Sequence, residues 1–303
     1  MKTAAVSRKK IINCREDKIL YAAVNTLLVL ILLVVAYPII YVVSCSFSSG
    51  EAVSSGRVLL WPVDFSLEGY QMVFNYASVW VGLKNSLFYT IVGTCLNMFL
   101  TVLAAYPLSR PKFQGRNVYM ALYLFTMIFS AGMIPKYVLM SKLELVNTRG
   151  ALIFSGAISV YNMIIVRTYF RSSIPNELFE AAHIDGASEF RCFLTIALPL
   201  AKSVLGVITL YYVVGHWNSY FNAMLYVRNP DLQPLQLVLR NILVASKVDL
   251  TQIQDAELLA KASGLSDLLK YALIVISSVP VIAMYPLVQK YFEKGVMIGS
   301  VKG

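Results

Sequence analysis

Glu180-Ala181-Ala182-His183-Ile184-Asp185-Gly186, followed after nine residues by Ile196-Ala197-Leu198-Pro199, is a mixed polar passage set between two apolar runs. Its composition predicts a surface hairpin rather than a buried segment. Ser172 or Ser173 suits the start of a helix, and Pro175 suits its first turn. Glu177 and Glu180 lie near the positive N-terminal end, where acids are favoured. A helix over 176–184 puts Leu178, Ala181, Ala182 and Asp185 on one strip. Alanines leave no bulk there, so another protein's backbone is able to approach closely. Gly186 is placed to end this helix in the left-handed conformation. A second short helix over 188–197 carries Phe190, Phe193, Leu194 and Ile196, and Pro199 is expected to break it. A connector resting on lipid is the competing reading, but such connectors favour Lys and Arg on the polar face. This one carries Glu177, Glu180, Asp185 and Glu189 against the single Arg191. An acidic helix fits a protein socket better than an anionic leaflet.

Composition sets the class of the remainder. Apolar residues make up 58% of the 303 and charged residues 14%, against about 25% charged in a soluble domain. The mean hydropathy is +0.66. This is the composition of an all-α integral membrane protein. The net charge of +10 comes from basic residues lying between apolar runs and at both ends. No basic helix face with interleaved aromatics and no zinc-finger spacing accompanies it, so no nucleic-acid partner is implied. Cys14, Cys45, Cys95 and Cys192 are scattered, and His183 and His216 stand far apart, so neither a disulfide framework nor a metal site is implied.

Six stretches satisfy the requirement of about 20 mostly apolar residues for a transmembrane helix. They cover roughly residues 19–44, 86–106, 118–140, 151–170, 203–226 and 268–291. The division is then a tail over 1–18, a six-helix domain over 19–291 with the hairpin connector at 172–202, and a tail over 292–303. Lys and Arg are more frequent in the two tails and in the connectors after spans two and four than on the opposite side. This bias places both termini and the hairpin in the cytoplasm. Val42-Val43-Ser44-Cys45 is similar to a lipoprotein cleavage box, but the preceding apolar run is longer than the 7–15 residues of a signal region, so span one is read as retained. The long outer segments 45–84 and 227–267 are expected to carry short helices on the outer face, with Trp61 and Tyr70 as interfacial anchors.

The run Ser173-Ile174-Pro175-Asn176-Glu177-Leu178 through Pro199, with Asp185 and Gly186 in place, resembles the coupling-loop signature of ABC importer permeases. Asn85-Ser86-Leu87, Ala104-Ala105-Tyr106-Pro107-Leu108-Ser109-Arg110, Phe113-Gln114-Gly115-Arg116 and Met133-Ile134-Pro135-Lys136-Tyr137 extend the likeness along nearly the whole chain. The tail Gly295 to Gly303 ends as the carbohydrate group does. The chain resembles the MalG-like permeases and, within them, the LplC-like branch associated with complex oligosaccharides. Pro107 stands where many relatives have alanine, a departure that would kink that helix end. The resemblance implies a type I ABC importer permease fold with a cytoplasmic coupling helix between spans four and five. It implies a second permease subunit, two ATPase subunits and an extracellular sugar-binding protein as partners, in a bacterial cell membrane. It makes Glu180, Ala181, Ala182, Asp185, Gly186, Ile196, Leu198 and Pro199 the residues that couple to the ATPase.

No Gly-x-x-x-x-Gly-Lys-Ser/Thr phosphate loop occurs in the chain. The subunit is therefore read as a transport component with no enzymatic site and no cofactor of its own, ATP being bound by its partners. The alternative of a secondary transporter driven by an ion gradient needs buried carboxylates along the path, and none is evident. For the sugar, aromatic faces with amide hydrogen bonds are needed. Trp217, Asn218, Tyr220 and Asn222 in span five supply that chemistry, and contacts between helices explain the same residues equally well. Asn162 and His216 read as residues that hydrogen-bond between helices.

Overall fold

The computed structural model describes residues 15–250 and 256–299, and every regular element among them is helical. The order is α1 (Arg15–Ser46), α2 (Gly50–Ser54), α3 (Glu68–Asn75), α4 (Ala77–Ser109), α5 (Arg116–Ile128), α6 (Met133–Lys142), α7 (Arg149–Phe154) and α8 (Val160–Ser172). There follow α9 (Asn176–Ile184), α10 (Glu189–Cys192), a π-helical turn (Phe193–Ala197), α11 (Leu198–Leu200), α12 (Lys202–Trp217), α13 (Phe221–Tyr226), α14 (Leu235–Leu250) and α15 (Ala256–Gly299). The tails and the polar stretch around Gln252 lie wholly or partly outside the described residues.

Among the described residues, three helices are individually long and apolar enough to cross a membrane: Glu16–Ser46, Ala77–Ser109 and Gly264–Met284. The other expected spans are broken. Span three is α5 and α6, whose axes differ by 113°. Span four is α7 and α8, parted by a non-helical stretch around Gly156. Span five ends at Trp217, and α13 follows as a separate helix. Apolar composition alone does not register these breaks, because an interruption of the backbone leaves the apolar content of the run unchanged. Span two is longer than expected, beginning at Ala77, and Pro107 falls in its last turn, after which the helix runs on to Ser109.

The body is organised around α4. Ser86, Thr90, Thr94, Asn97 and Thr101 follow one another at three- and four-residue spacing, and all are buried. Lipid tails are as apolar as leucine, so helices in a bilayer gain little by hiding apolar surface from one another. Close packing and hydrogen bonds between helices hold them instead; Thr90 and Thr94 contribute small side chains, and Ser86, Asn97 and Thr101 contribute bonds. Asn97 donates from Nδ2 to the Gly156 carbonyl at 2.8 Å and accepts from His216 Nε2 at 3.2 Å. Thr101 and Tyr212 share a hydroxyl hydrogen bond of 2.7 Å, and the Tyr212 hydroxyl accepts from the Ser159 amide. Gly93 makes room for the His216 ring: a Cβ there would sit 2.4 Å from Cε1. Ala105, Met163, Val166, Ile208 and Ala201 fill the core between α4, α8 and α12 without solvent access.

Candidate functional site

The hairpin forms where the sequence places it. Pro175 stands just ahead of α9 as its cap residue, and Ser173 closes α8 instead of capping α9. Glu177 occupies the first turn. At the other end Gly186 has φ +78°, the Gly186 amide donates to the His183 carbonyl, and the Ala187 amide donates to the Ala182 carbonyl at 2.8 Å. This pair of bonds is the Schellman ending that a left-handed glycine permits. Ser188 then caps α10, its side chain accepting from the Arg191 amide.

The second arm departs from expectation. Pro199 does not end it. Residues 193–197 wind as a π turn, α11 includes Pro199 near its start, and the chain bends by 79° between Leu200 and Lys202. Proline has no N–H to give the carbonyl four residues back, so the preceding turn widens and the direction change falls at Ala201.

The strip of α9 also rotates relative to expectation. Phe179 is buried and Ala182 is half-buried against the core, whereas Glu177, Leu178, Glu180, Ala181, Ile184 and Asp185 are exposed. Ala182 therefore seats the helix on its own body, and the outward face is acidic with Leu178 and Ile184 as its apolar contacts. Ile196 and Leu198 likewise pack inward on the core, while Pro199 is exposed. Of the eight residues singled out in the hairpin, Glu180, Ala181, Asp185, Gly186 and Pro199 face outward.

The seat beneath α9 is a cluster that the hairpin sequence does not display. The Arg110 guanidinium, buried at the end of α4, lies 3.7 Å from the centre of the Phe179 ring and 5.3 Å from that of Tyr106. Such a cation over an aromatic face contributes about 0.5–2 kcal/mol, more as water is excluded. Burial pushes the Arg110 pKa down from its ordinary value. Arg110 also donates to the Phe170 carbonyl at 3.4 Å. The Tyr106 hydroxyl donates to Glu189 Oε2 at 3.1 Å, and His183 Nε2 meets Glu189 Oε1 at 3.1 Å. A crevice of 370 Å³ opens between the 110–112 turn and α9, lined by Lys112, Glu180, Ile184 and Glu189 among others. The signal for this cluster was the aromatic and basic ending of span two, Tyr106 to Arg110. Its partners lie 60 to 83 residues further along, beyond the reach of spacing arguments.

A second concavity of 160 Å³ lies between α4, the 152–156 turn and α12, lined by Asn97, Ser155, Tyr211, His216, Ser219 and Asn222. It includes Asn222 of the proposed sugar-contacting set. Trp217 is elsewhere: it is 1% exposed, packs among Val73, Leu235 and Leu269, and donates from Nε1 to the Ser277 carbonyl at 3.0 Å. That is a packing position between α12 and α15, the second of the two readings its sequence allowed. Tyr220 packs near Tyr89 and Leu152, with its hydroxyl 3.1 Å from Met224 Sδ, and Asn218 is exposed where α12 ends. His216 bonds between helices through Asn97, as its isolation in the sequence suggested. Asn162 is buried in α8.

Helices long and apolar enough to cross a membrane, a concavity among them and a hairpin fastened to one end mark a multi-pass membrane protein. Residues 15–298 match the family described as binding-protein-dependent transport system inner membrane component, and the chain belongs to that family. It is 39% identical over 266 residues to protein LplC of Bacillus subtilis, covering 88% of this chain and 89% of that one. It is 38% identical to the polygalacturonan/rhamnogalacturonan transport system permease protein YtcP of the same organism, over 91% of this chain and 96% of the relative. Among solved structures, a chain of a bacterial ABC transporter involved in the import of the acidic polysaccharide alginate superposes with a TM-score of 0.82 at 37% identity, covering 93% of this chain and all of that one. The protein is thus a multi-pass ABC transporter permease of the membrane. Permease subunits of this family are not enzymes, and membership displaces the reading as an ion-driven carrier.

Proposed function

We propose that this chain is one of two pathway subunits of an ATP-driven importer that takes up oligosaccharides from an external binding protein. In this reading it crosses a bacterial cell membrane six times with both termini in the cytoplasm, the broken pairs α5–α6 and α7–α8 each accounting for one span. Two ATPase subunits bind the nucleotide, and residues 176–199 form the handle that one of them grips. The observation that carries the proposal is the seated hairpin: α9 presents Glu177, Glu180, Ala181, Ile184 and Asp185 outward while Phe179 and Ala182 anchor it. An outward acidic face with two apolar contacts on a rigid base suits a protein socket, since acid groups are repelled by an anionic leaflet. The sugar class is supported by the named transport roles of YtcP and of the alginate importer. The external partner is supported by membership of the binding-protein-dependent family.

Reconstitution with the ATPase and binding protein tests the handle. Glu180→Lys reverses charge on the exposed face, and Gly186→Leu forces a side chain into the left-handed region at a cost of about 1–2 kcal/mol. Both are expected to lower sugar uptake and ATPase stimulation by about tenfold or more while membrane insertion survives. Uptake at the unmodified rate in both variants removes the docking assignment.

A further inference from the structure

Two of the motifs noted above lie on one helix. Asn85-Ser86 is near the start of α4, and Tyr106 to Arg110 closes it. Each fastens a different loop. At the first end, Asn85 Nδ2 donates to the carbonyls of Asp231 (2.7 Å) and Gln233 (3.1 Å), and the Tyr89 hydroxyl donates to the Leu232 carbonyl at 2.8 Å. Ser86 Oγ accepts from the Leu235 amide at 2.8 Å, so it satisfies the first N–H of α14 from a separate element. At the second end, Arg110 holds Phe179 and Tyr106 holds Glu189. The ends are 24 residues of unbroken helix apart, roughly 36 Å at 1.5 Å per residue, which exceeds the hydrocarbon thickness of a bilayer.

The covalent route out of α9 is softer than this one. Toward α12 it passes a π turn, Pro199 and a 79° bend. A push on α9 is absorbed at such joints, whereas a continuous helix carries it as a rigid body.

We infer that α4 is the rod that ties the position of the hairpin to the position of the 231–235 loop on the opposite face, with Tyr106 and Arg110 as positioning residues at one end and Asn85 and Ser86 at the other. The inference rests on the hairpin being the ATPase handle. It assigns a route for the stroke and makes the two faces reciprocal: whatever seats on the 231–235 loop changes the ATPase by the same coupling free energy with which nucleotide changes that loop.

Hydrogen exchange of the backbone over 231–237, measured in the intact reconstituted complex with and without ATP, reads the rod directly. ATP is expected to change exchange at Leu232, Leu235 and Leu237 in the unmodified protein. Arg110→Lys keeps the charge and loses the flat stack on Phe179, and Tyr106→Phe removes only the hydroxyl to Glu189. Each is expected to reduce the ATP-dependent change about fivefold or more while the ATPase still co-purifies. A purely local packing role for these residues would leave the response on the far face intact, and that result overturns the inference, as does a loop indifferent to ATP in the unmodified complex. If Arg110→Lys does not assemble, Tyr106→Phe alone decides. Glu180→Lys separates the two readings: unchanged uptake and ATPase stimulation in that variant remove the handle and the rod with it, whereas impaired stimulation there, with an ATP response over 231–237 that Tyr106→Phe leaves intact, removes the rod alone.

Discussion

The helices α1 and α4 are nearly equal in length, 32 and 33 residues, and live in opposite surroundings. The apolar window of α1 is 0% buried within the subunit, and that of α4 is 39% buried. The more apolar of the two is the one left outside. In water the reverse would hold, because burial of apolar surface drives packing. In a bilayer, leucine against lipid and leucine against leucine are nearly equivalent. A helix therefore enters the interior when it has partners for polar groups and small residues that permit close approach. On α4, Ser86, Asn97 and Thr101 find partners on other elements, and Thr90, Gly93 and Thr94 are small enough to permit close approach. The first half of α1 carries the local bond from Thr26 to the Ala22 carbonyl, and its C-terminal part meets α15 where the Tyr41 and Tyr271 rings pack edge to face.

Three substitutions sharpen or break that contrast. The largest effect is expected from Trp217→Ala, which empties a closed site between α12 and α15 and strands the Ser277 carbonyl. Thermal unfolding of the purified assembly should show a loss of about 3–5 kcal/mol, with transport falling because assembly fails. Normal assembly with altered sugar preference would instead return Trp217 to the pathway. Asn97→Leu preserves apolar volume but leaves His216 Nε2 and the Gly156 carbonyl without a partner. The same measurement should show a loss of about 1–3 kcal/mol, and no loss would mean that α4 is held by packing alone. Leu30→Ala on the exposed α1 should change stability by less than about 0.5 kcal/mol. A loss comparable to that of Asn97→Leu would break the comparison by revealing α1 seated against another protein.

The hairpin offers a second contrast, between the part of the site the sequence displays and the part it hides. Gly186 announces the end of α9 because a left-handed ending favours glycine wherever it occurs, and the acids ahead of it mark the start. These are local conditions, satisfied within a few residues. The face that α9 turns outward is not local. Ala181 and Ala182 are equivalent in the sequence, yet one faces solvent and the other the core, because Phe179 is drawn under Arg110. The breaks within spans three, four and five were hidden for a related reason, since an interrupted backbone carries the same apolar content as a continuous one.

The sequence by itself determined the helical membrane class and the hairpin with its left-handed ending. Each of these follows from composition or from spacing within one or two turns. The tertiary structure alone decided that α4 is the axis of the molecule, that Trp217 is packing, and that Tyr106 and Arg110 underlie the hairpin. The reason is physical: Asn85 meets residues 146 and 148 positions away, and Tyr106 meets one 83 positions away. Bonds across such separations form only when the whole chain has folded, and no periodicity in the sequence encodes which polar residue will find which partner.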